Sequence, residues 1–551
     1  MQINLQRKAD KAMATYTRNN AWNKGGDFTN LDLLWYAKGV GKMMSRALND
    51  SASWWFYAAI HGEYVTPANI QPAFPGWKFI KAPPTVPTSP LPVSGNQNLY
   101  WNQCQHQSWF FLPWHRGYLM ALEAQLRKDI VSLGGPATWA LPYWNYFGGT
   151  NGSQYQMPPA FAAKKLPDNT PNPIFVNMRY GPDGNGNIYL PTPAGEAAHP
   201  GDPNFSRGEV NANYMSNDLY TGHDQVTKLP GFGGPETLFH HGGGTSGNWE
   251  GNPHNLVHVY VGYYGAVTAP LYGLMSDPGT AALDPIFYLH HSNIDRMWAL
   301  WNANGNANPS QSAWLKGPTT RKFVMPGTNG QPWYYTPDQM KDLTKLNYTY
   351  QELKSLPAPK VAGLPKRLAL LGAKDAAAAA KKTPATPAKP KVTELLGASA
   401  RPLKISGRVS KAAVKLDAGV RRKTTRSLAM AAKTAAPDNV YIKVENVRGT
   451  FDATVLSVYL DLPEGAKPGE NRQYLAGNIA LFGLRRASMK DGQHAGEGLT
   501  FILDATPVID QLHLKNEFDV ESLQVSVIPA DPLPENADIT VGRISIYREG
   551  F

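Results

Sequence analysis

Cysteine is almost missing from this 551-residue chain: Cys104 stands alone, so no disulfide can form within it. Charge is sparse as well, with 17% Asp, Glu, Lys and Arg against 42% hydrophobic residues, which supports a large packed interior. No run of about 18 apolar residues occurs, so no membrane span is expected. The opening stretch, MQINLQRKADKAMATYTRNN, lacks an apolar segment ahead of a cleavage site. No signal peptide is therefore evident, and a cytoplasmic location is expected. At this length two or more folded units are expected.

The formal charge of +11 suggests a nucleic-acid binder only at first sight. Residues 360–438 hold eighteen Lys and Arg against four Asp and Glu, which leaves −3 for the rest. The basicity thus belongs to one Ala-, Lys- and Pro-rich segment that includes AAAAAKKTPATPAKPKV, read as a solvated linker. No nucleic-acid module is present, and neither nucleic acid nor membrane is expected as a partner.

What the chain has in quantity is histidine in aromatic surroundings. The stretch from Asp284 to Trp298, DPIFYLHHSNIDRMW, carries His290 and His291 in an apolar pattern that suits a buried helix. Asp295 lies four residues after His291, on the same helical face, where a carboxylate could accept its imidazole N–H and aim the other nitrogen at a metal. That spacing favours His291 over His290 as a ligand. In EGNPHNLVHV, His254 and His258 stand at i and i+4, one turn apart on a helix. Pro253 suits the first turn of that helix. His106 and His115 flank an aromatic run in HQSWFFLPWHRGYLMALE, and His61 follows WWFYAAI.

Two long motifs here resemble the type-3 copper family of tyrosinases, catechol oxidases and hemocyanin units. The first-copper signature is matched by His106, then Phe111-Leu112-Pro113-Trp114-His115-Arg116, Leu119 and Glu123. The second is matched by Asp284, Pro285, Phe287, Tyr288, His291 and Asp295. The resemblance implies two copper ions, copper A on His61, His106 and His115, and copper B on His254, His258 and His291. It also implies a mainly α-helical core, a four-helix bundle around the coppers with long loops. Cys104 precedes His106 by two residues, a spacing at which fungal and molluscan relatives form a Cys–His thioether. Glu250 matches the family's water-holding glutamate, and Asn255 the asparagine linked to monophenol turnover. Plant catechol oxidases often carry a Phe thirteen residues before the third copper-B histidine, and Pro278 stands there in this chain.

Along the chain, residues 1 to about 50 read as helical, and Tyr118 to Val131 carries a helical apolar spacing. Residues 66–98 and 148–250 are rich in Gly, Pro and Asn and read as long loops that frame a site. His240 and His241 in this region, and His199, His223, His494 and His513 elsewhere, lack ligand spacing and are read as loop-packing or solvent-facing. Tyr348 and Tyr350 resemble the tyrosine motif that closes the catalytic domain in plant and fungal relatives. From about 439 the pattern turns to period two, as in VYIKVENV and ITVGRISIY, and indicates a β-sandwich or small barrel. Pieces such as VYLDLPEG resemble the C-terminal domain that shields the latent enzyme in plant polyphenol oxidases.

The expected organisation is a multi-domain α+β chain. A dicopper catalytic domain spans 1–356, a basic linker 357–438 (with RPLKISGRVSKAAVKL able to form a strand), and a β shielding domain 439–551. By resemblance its partners are phenols and O2, and its reaction is ortho-hydroxylation of monophenols and oxidation of ortho-diphenols to quinones. A catechol oxidase or ortho-aminophenol oxidase without monophenolase activity, and a hemocyanin-like O2 carrier, remain open alternatives.

Overall fold

The computed structural model describes residues 16–62, 64, 86–147, 156–177, 179, 210–222, 229, 231–264, 271–353, 364–374, 376, 391–406, 409–434, 437–450, 454–490, 496–518, 520–530, 533 and 537–551. The helical core is carried by α1 (Leu31–Met44), α2 (Trp54–His61), α3 (Phe111–Ser132), α4 (Leu256–Gly262) and α5 (Ile286–Ala303). The Ser53 side chain accepts the Phe56 N–H and starts α2, whose eight residues, WWFYAAIH, are all buried. Leu119, Leu122, Leu126 and Ile130 make the apolar stripe of α3, which packs on α1 and α5. Gly62, just after α2, cannot be larger: a Cβ there would meet the Pro278 carbonyl oxygen at 2.5 Å. The loop 277–279 is thereby pressed against the residue that follows His61.

Two short strands close this core. β1 (Tyr16–Arg18) runs parallel to β3 (Tyr348–Tyr350), so the N-terminal segment is tied to the Tyr-x-Tyr pair. Among the described residues of this region, a strand and a short 3-10 turn (Asn23–Gly26) precede the first α-helix at Leu31, where the sequence reads as helical throughout. Residues 1–15, 65–85 and most of 178–209 lie outside the described residues, as do His199, His223 and His494.

The C-terminal half is a sheet. Its strands are β4 (Val392–Ser399), β5 (Ser410–Leu416), β6 (Asn439–Val447), β7 (Val455–Leu460), β8 (Leu475–Ala480), β9 (Leu499–Asp504), β10 (Ser522–Pro529) and β11 (Arg543–Gly550). They pair in the order β8-β7-β10-β5-β4-β11-β6-β9. In β6 the buried positions are Val440, Ile442, Val444 and Val447, and a register shift between the last two restores Val447 to the core face. Helices α6 (Ala418–Ala429), α7 (Leu484–Ser488) and α8 (Thr506–Leu514) accompany the sheet.

The boundary at 439 needs correction. β4 and β5 fall within the segment read as linker, yet they sit mid-sheet, with Leu396 and Val414 fully buried. α6 follows directly, its N-terminus capped by Asp417. A composition poor in large apolar residues still gives strands here, because neighbouring strands supply the buried face.

The two halves share backbone. β2 (Gly244–Thr245), from the core's loop region, adds to the sheet edge in parallel with β9, and the Gly244 N–H donates to the Gly498 carbonyl at 2.8 Å. Among the described residues no helix is long and apolar enough to cross a membrane.

Candidate metal centre

Each helix end or turn delivers one imidazole to a common centre. His61 closes α2, His115 sits in the first turns of α3, and His290 and His291 lie in α5. His254 occupies a wide turn over Glu250–Asn255, broken at Asn252 (φ −147°, ψ 116°), and this turn runs into α4 with His258. His106 is on the extended segment before α3. All seven rings are at least 97% buried.

They fall into two groups, His61/His106/His115 and His254/His258/His290/His291, within each of which the candidate ligand atoms lie within 4.8 Å of one another. The groups face each other: the His115 and His291 rings stack with centroids 4.4 Å apart, and His106 and His254 are at 5.7 Å.

Hydrogen bonds fix which nitrogen is available. The Nδ1–H of His61 donates to the Pro278 carbonyl (2.9 Å), that of His115 to Phe111 (2.7 Å) and that of His258 to Met275 (2.9 Å). The Nδ1–H of His254 donates to Asn255 Oδ1 (2.8 Å). A carbonyl oxygen can only accept, so Nδ1 carries the proton and Nε2 keeps a lone pair. In the second group three Nε2 atoms converge, with His254–His258 at 3.1 Å, His254–His291 at 3.2 Å and His258–His291 at 3.5 Å. Lone pairs so placed repel unless a cation lies among them. Nitrogens bonded to one ion at about 2.0–2.1 Å with tetrahedral angles sit about 3.3–3.4 Å apart, which this triangle matches. In the first group, Nε2 of His61, His106 and His115 are buried with no hydrogen-bond partner. A donor set made only of imidazole suits copper and similar transition metals.

Burial lowers the pKa of every one of these rings, and neighbouring imidazoles lower it further in most. His61 falls to about 4, chiefly from burial, with Arg486 adding to the fall and Asp277 opposing it. The rings thus stay neutral near pH 7, as metal ligands must.

His290 shares the second group, with its Nδ1 against the Tyr146 hydroxyl at 3.1 Å and its buried Nε2 without a partner, but it stands outside the triangle of converging Nε2 atoms. The spacing reason given for preferring His291 does not hold. Asp295 turns away from His291, whose Nδ1 has no partner, and bonds Arg116 Nε (2.5 Å), Arg18 Nη1 (3.3 Å) and the hydroxyls of Tyr348 (2.7 Å) and Tyr350 (2.5 Å). Two guanidinium groups outcompete one imidazole N–H for a buried carboxylate. What sets His291 apart is the convergence of its Nε2 with those of His254 and His258.

Glu250 is fully buried, and burial pushes its pKa up to about 8 against the N–H groups of Gln107 and Gly247. Both its oxygens accept the Gln107 N–H at 2.9 Å, so it also pins the segment beside His106. Asn255 presents Oδ1 to His254, while its Nδ2 is buried without a partner. Cys104 Sγ lies 3.9 Å from His106 Nδ1 and nearer, 3.0 Å, to His241 Nδ1. His240 and His241 pack the loop, their Nδ1 atoms on the carbonyls of His106 and Cys104. His513 is half-buried on α8, far along the chain from either triad.

Three site residues escaped sequence reasoning. Phe482, at the end of the turn before α7, stacks on His258 (4.2 Å, 22°) and lies edge-on to His106 and His254 at 6.0 Å. Arg485 and Arg486, on α7, pair with the fully buried Asp277 at 3.2 and 3.4 Å. The one available signal was an apolar, aromatic turn, ALFGL, where polar turn residues are usual.

The common central domain of tyrosinase matches residues 51–304, which include all seven histidines, and a domain of unknown function (DUF7868) matches residues 392–549. The tyrosinase HcTyr1 of Hahella sp. (strain CCB-MM4) is 30% identical over 545 residues, covering 97% of this chain and 99% of that protein. The chloroplastic (+)-larreatricin hydroxylase of Larrea tridentata is 27% identical over 360 residues, 60% of this chain and 50% of the plant protein. Among solved structures, latent apple tyrosinase superposes with a TM-score of 0.56 at 19% identity over 99% of both chains. Latent aurone synthase gives 0.58 at 18% identity, over 100% of this chain and 91% of that one. These structures share the fold from the helical core through the C-terminal sheet. With a tyrosinase aligned over nearly its whole length, this chain belongs to the tyrosinase and polyphenol oxidase family of type-3 copper oxidoreductases.

Proposed function

We propose that the chain is a latent phenol oxidase that holds two copper ions, ortho-hydroxylates monophenols and oxidises ortho-diphenols to quinones with O2. The observation that carries this reading is the pair of facing imidazole triads whose Nε2 lone pairs point inward, with an aromatic ring stacked on one of them. His61, His106 and His115 would hold one ion, and His254, His258 and His291 the other. Copper, when bound, would supply O2 binding, delivery of one oxygen atom to a monophenol and removal of two electrons from an ortho-diphenol, with O2 as their acceptor.

The chain's own residues do the rest. His258 offers its imidazole face to an aromatic ring, the place Phe482 occupies in the intact chain, and a phenol would stack there in its stead. Asn255 orients His254 through Oδ1 and keeps a free amide N–H for a water. Glu250, with its pKa near 8, can take the phenolic proton through that water at close to neutral pH. Cys104, beside His106, is the residue for a thioether, in which its S–H and a ring C–H of His106 would be replaced by a C–S bond, with O2 accepting the two electrons and two protons released.

Latency follows from position: a ring from the C-terminal unit cannot share the His258 face with a phenol. A tethered plug acts at an effective concentration that reaches the millimolar range. The Phe482→Gly chain should therefore turn over 4-methylcatechol at least about tenfold faster than the intact chain at low substrate concentration. Both should carry two copper ions per chain by elemental analysis. Turnover of 4-methylphenol as well supports the monophenolase; turnover of the catechol alone makes it a catechol oxidase. Reversible O2 uptake without turnover of either would sink the enzyme reading in favour of a carrier.

A further inference from the structure

The plug is more than a ring. Phe482 takes the phenol face of His258, and Arg485 and Arg486, three and four residues on, bring two guanidinium groups to Asp277. Gly483, between them, has φ +80°, and a Cβ there would stand 3.2 Å from Pro278 Cγ, so α7 is seated tightly on the loop 277–279. The C-terminal unit thus presents an aromatic group and a cation together, in the outline of an arylalkylammonium ion. Apart from these arginines, the Asp277 carboxylate accepts, among the described residues, the Gly279 N–H at 2.6 Å. Its neighbour Pro278 supplies the carbonyl that holds His61, so the carboxylate stands at the rim of the centre itself. Once the plug withdraws, a carboxylate that was fully buried in an ion pair is left in the mouth without its cations. Such a group recruits a new cation and repels an anion.

We propose that Asp277 is a specificity-determining residue that binds the cationic tail of the substrate, so that the opened enzyme prefers phenols and catechols bearing an amine over those bearing a carboxylate. The proposal rests on the phenol-oxidase reading above, with Phe482 and the two arginines as a built-in substitute for such a substrate.

The test uses copper-loaded full-length chains and two ligands that cannot be oxidised as phenols, phenethylamine and 3-phenylpropionate, with Kd read by calorimetry. The Phe482→Gly chain keeps its arginines on Asp277 and should bind the acid at least as well as the amine. The Phe482→Gly/Arg485→Gln/Arg486→Gln chain should reverse this and bind the amine about tenfold more tightly than the acid, with the gap shrinking as salt is raised. Adding Asp277→Asn should abolish the preference. Turnover should follow the same order, with dopamine ahead of 3,4-dihydroxyphenylpropionate. The proposal fails if the opened chain binds both ligands equally or if the preference survives Asp277→Asn. It also fails if the Phe482→Gly chain already favours the amine, a result open to measurement even should the triple variant not fold. If no form turns over 4-methylcatechol while the amine preference appears, the phenol-oxidase reading fails and the role of Asp277 stands.

Discussion

Asp295 carries two positive charges on one carboxylate. Burial raises its pKa, and Arg116, then Arg18 and the hydroxyls of Tyr350 and Tyr348, more than offset that, leaving it below the usual carboxylate range. Arg116 also lies over the Trp298 ring at 3.8 Å, and Arg18 over Tyr348 at 3.9 Å. Removing the charge strands the buried Arg116 guanidinium and leaves Arg18 with Glu123 (2.7 Å) as its one carboxylate, a loss of about 3–5 kcal/mol for a broken buried pair. Asp295→Asn should accordingly lower the melting temperature by several degrees while the copper content per folded chain stays at the unaltered level. A variant of ordinary stability that has lost copper would instead return Asp295 to the role of orienting His291. The histidines were legible because their spacing and motifs are local; the partner of Asp295 was not, since Arg18 lies 277 residues away in sequence. Cys104 was legible for the same local reason, and burial pushes its thiol pKa well up, so it is a poor free nucleophile. Intact-mass measurement of the copper-loaded chain should give the sequence mass less two hydrogens. Complete labelling of Cys104 by a thiol reagent after denaturation would reject the thioether.

At the scale of elements, sequence periodicity finds what a single stripe or alternation determines. α3 and α5 are long enough for their apolar spacing to show, and β6 shows its alternation until the shift near Val447. β5 was legible as a possible strand in RPLKISGRVSKAAVKL but not as part of the sheet, and β4 was hidden, because their residues are small or basic and their burial is provided by β10 and β11 on either side. α6 was hidden inside the same basic composition. Arg421, Arg422 and Lys423, trypsin targets by residue type within the segment read as a solvated linker, stand on this helix, with Arg421 donating to the Val520 carbonyl and Lys423 paired with Glu394 at 2.6 Å. A protease needs an extended strand, so these bonds argue against cleavage there while the unit is folded. The plug itself was illegible for a further reason: a turn between strands acquires its function only from what the sheet sets it against.

For the whole molecule, the centre is a charge problem solved by burial from two sides. Core helices and the C-terminal sheet together exclude water from seven imidazoles, all held neutral by desolvation. In the unfolded chain the same rings titrate near the ordinary value of 6.5, whereas folded His61 titrates at about 4. A depressed folded pKa contributes stability above the unfolded value, and that stability is lost as pH falls through the folded one. Each ring that follows this rule steepens the loss by about 1.4 kcal/mol per pH unit. Glu250 runs the other way: its folded pKa is raised from 4.5 to about 8, so its contribution is present in acid and lost as pH rises through 8. Metal-free protein should therefore be most stable near pH 6.5, its melting temperature falling steeply from pH 6.5 toward 4 as the rings charge in the unfolded chain, and more gently from 6.5 to 8 as the Glu250 contribution is lost. Bound copper competes with protons for the same lone pairs, so the loaded chain should hold its melting temperature to lower pH than the stripped one. Thermal unfolding of both forms across this range is the measurement. A metal-free curve that stays flat from pH 6.5 to 5 would mean that these rings are not held neutral by burial.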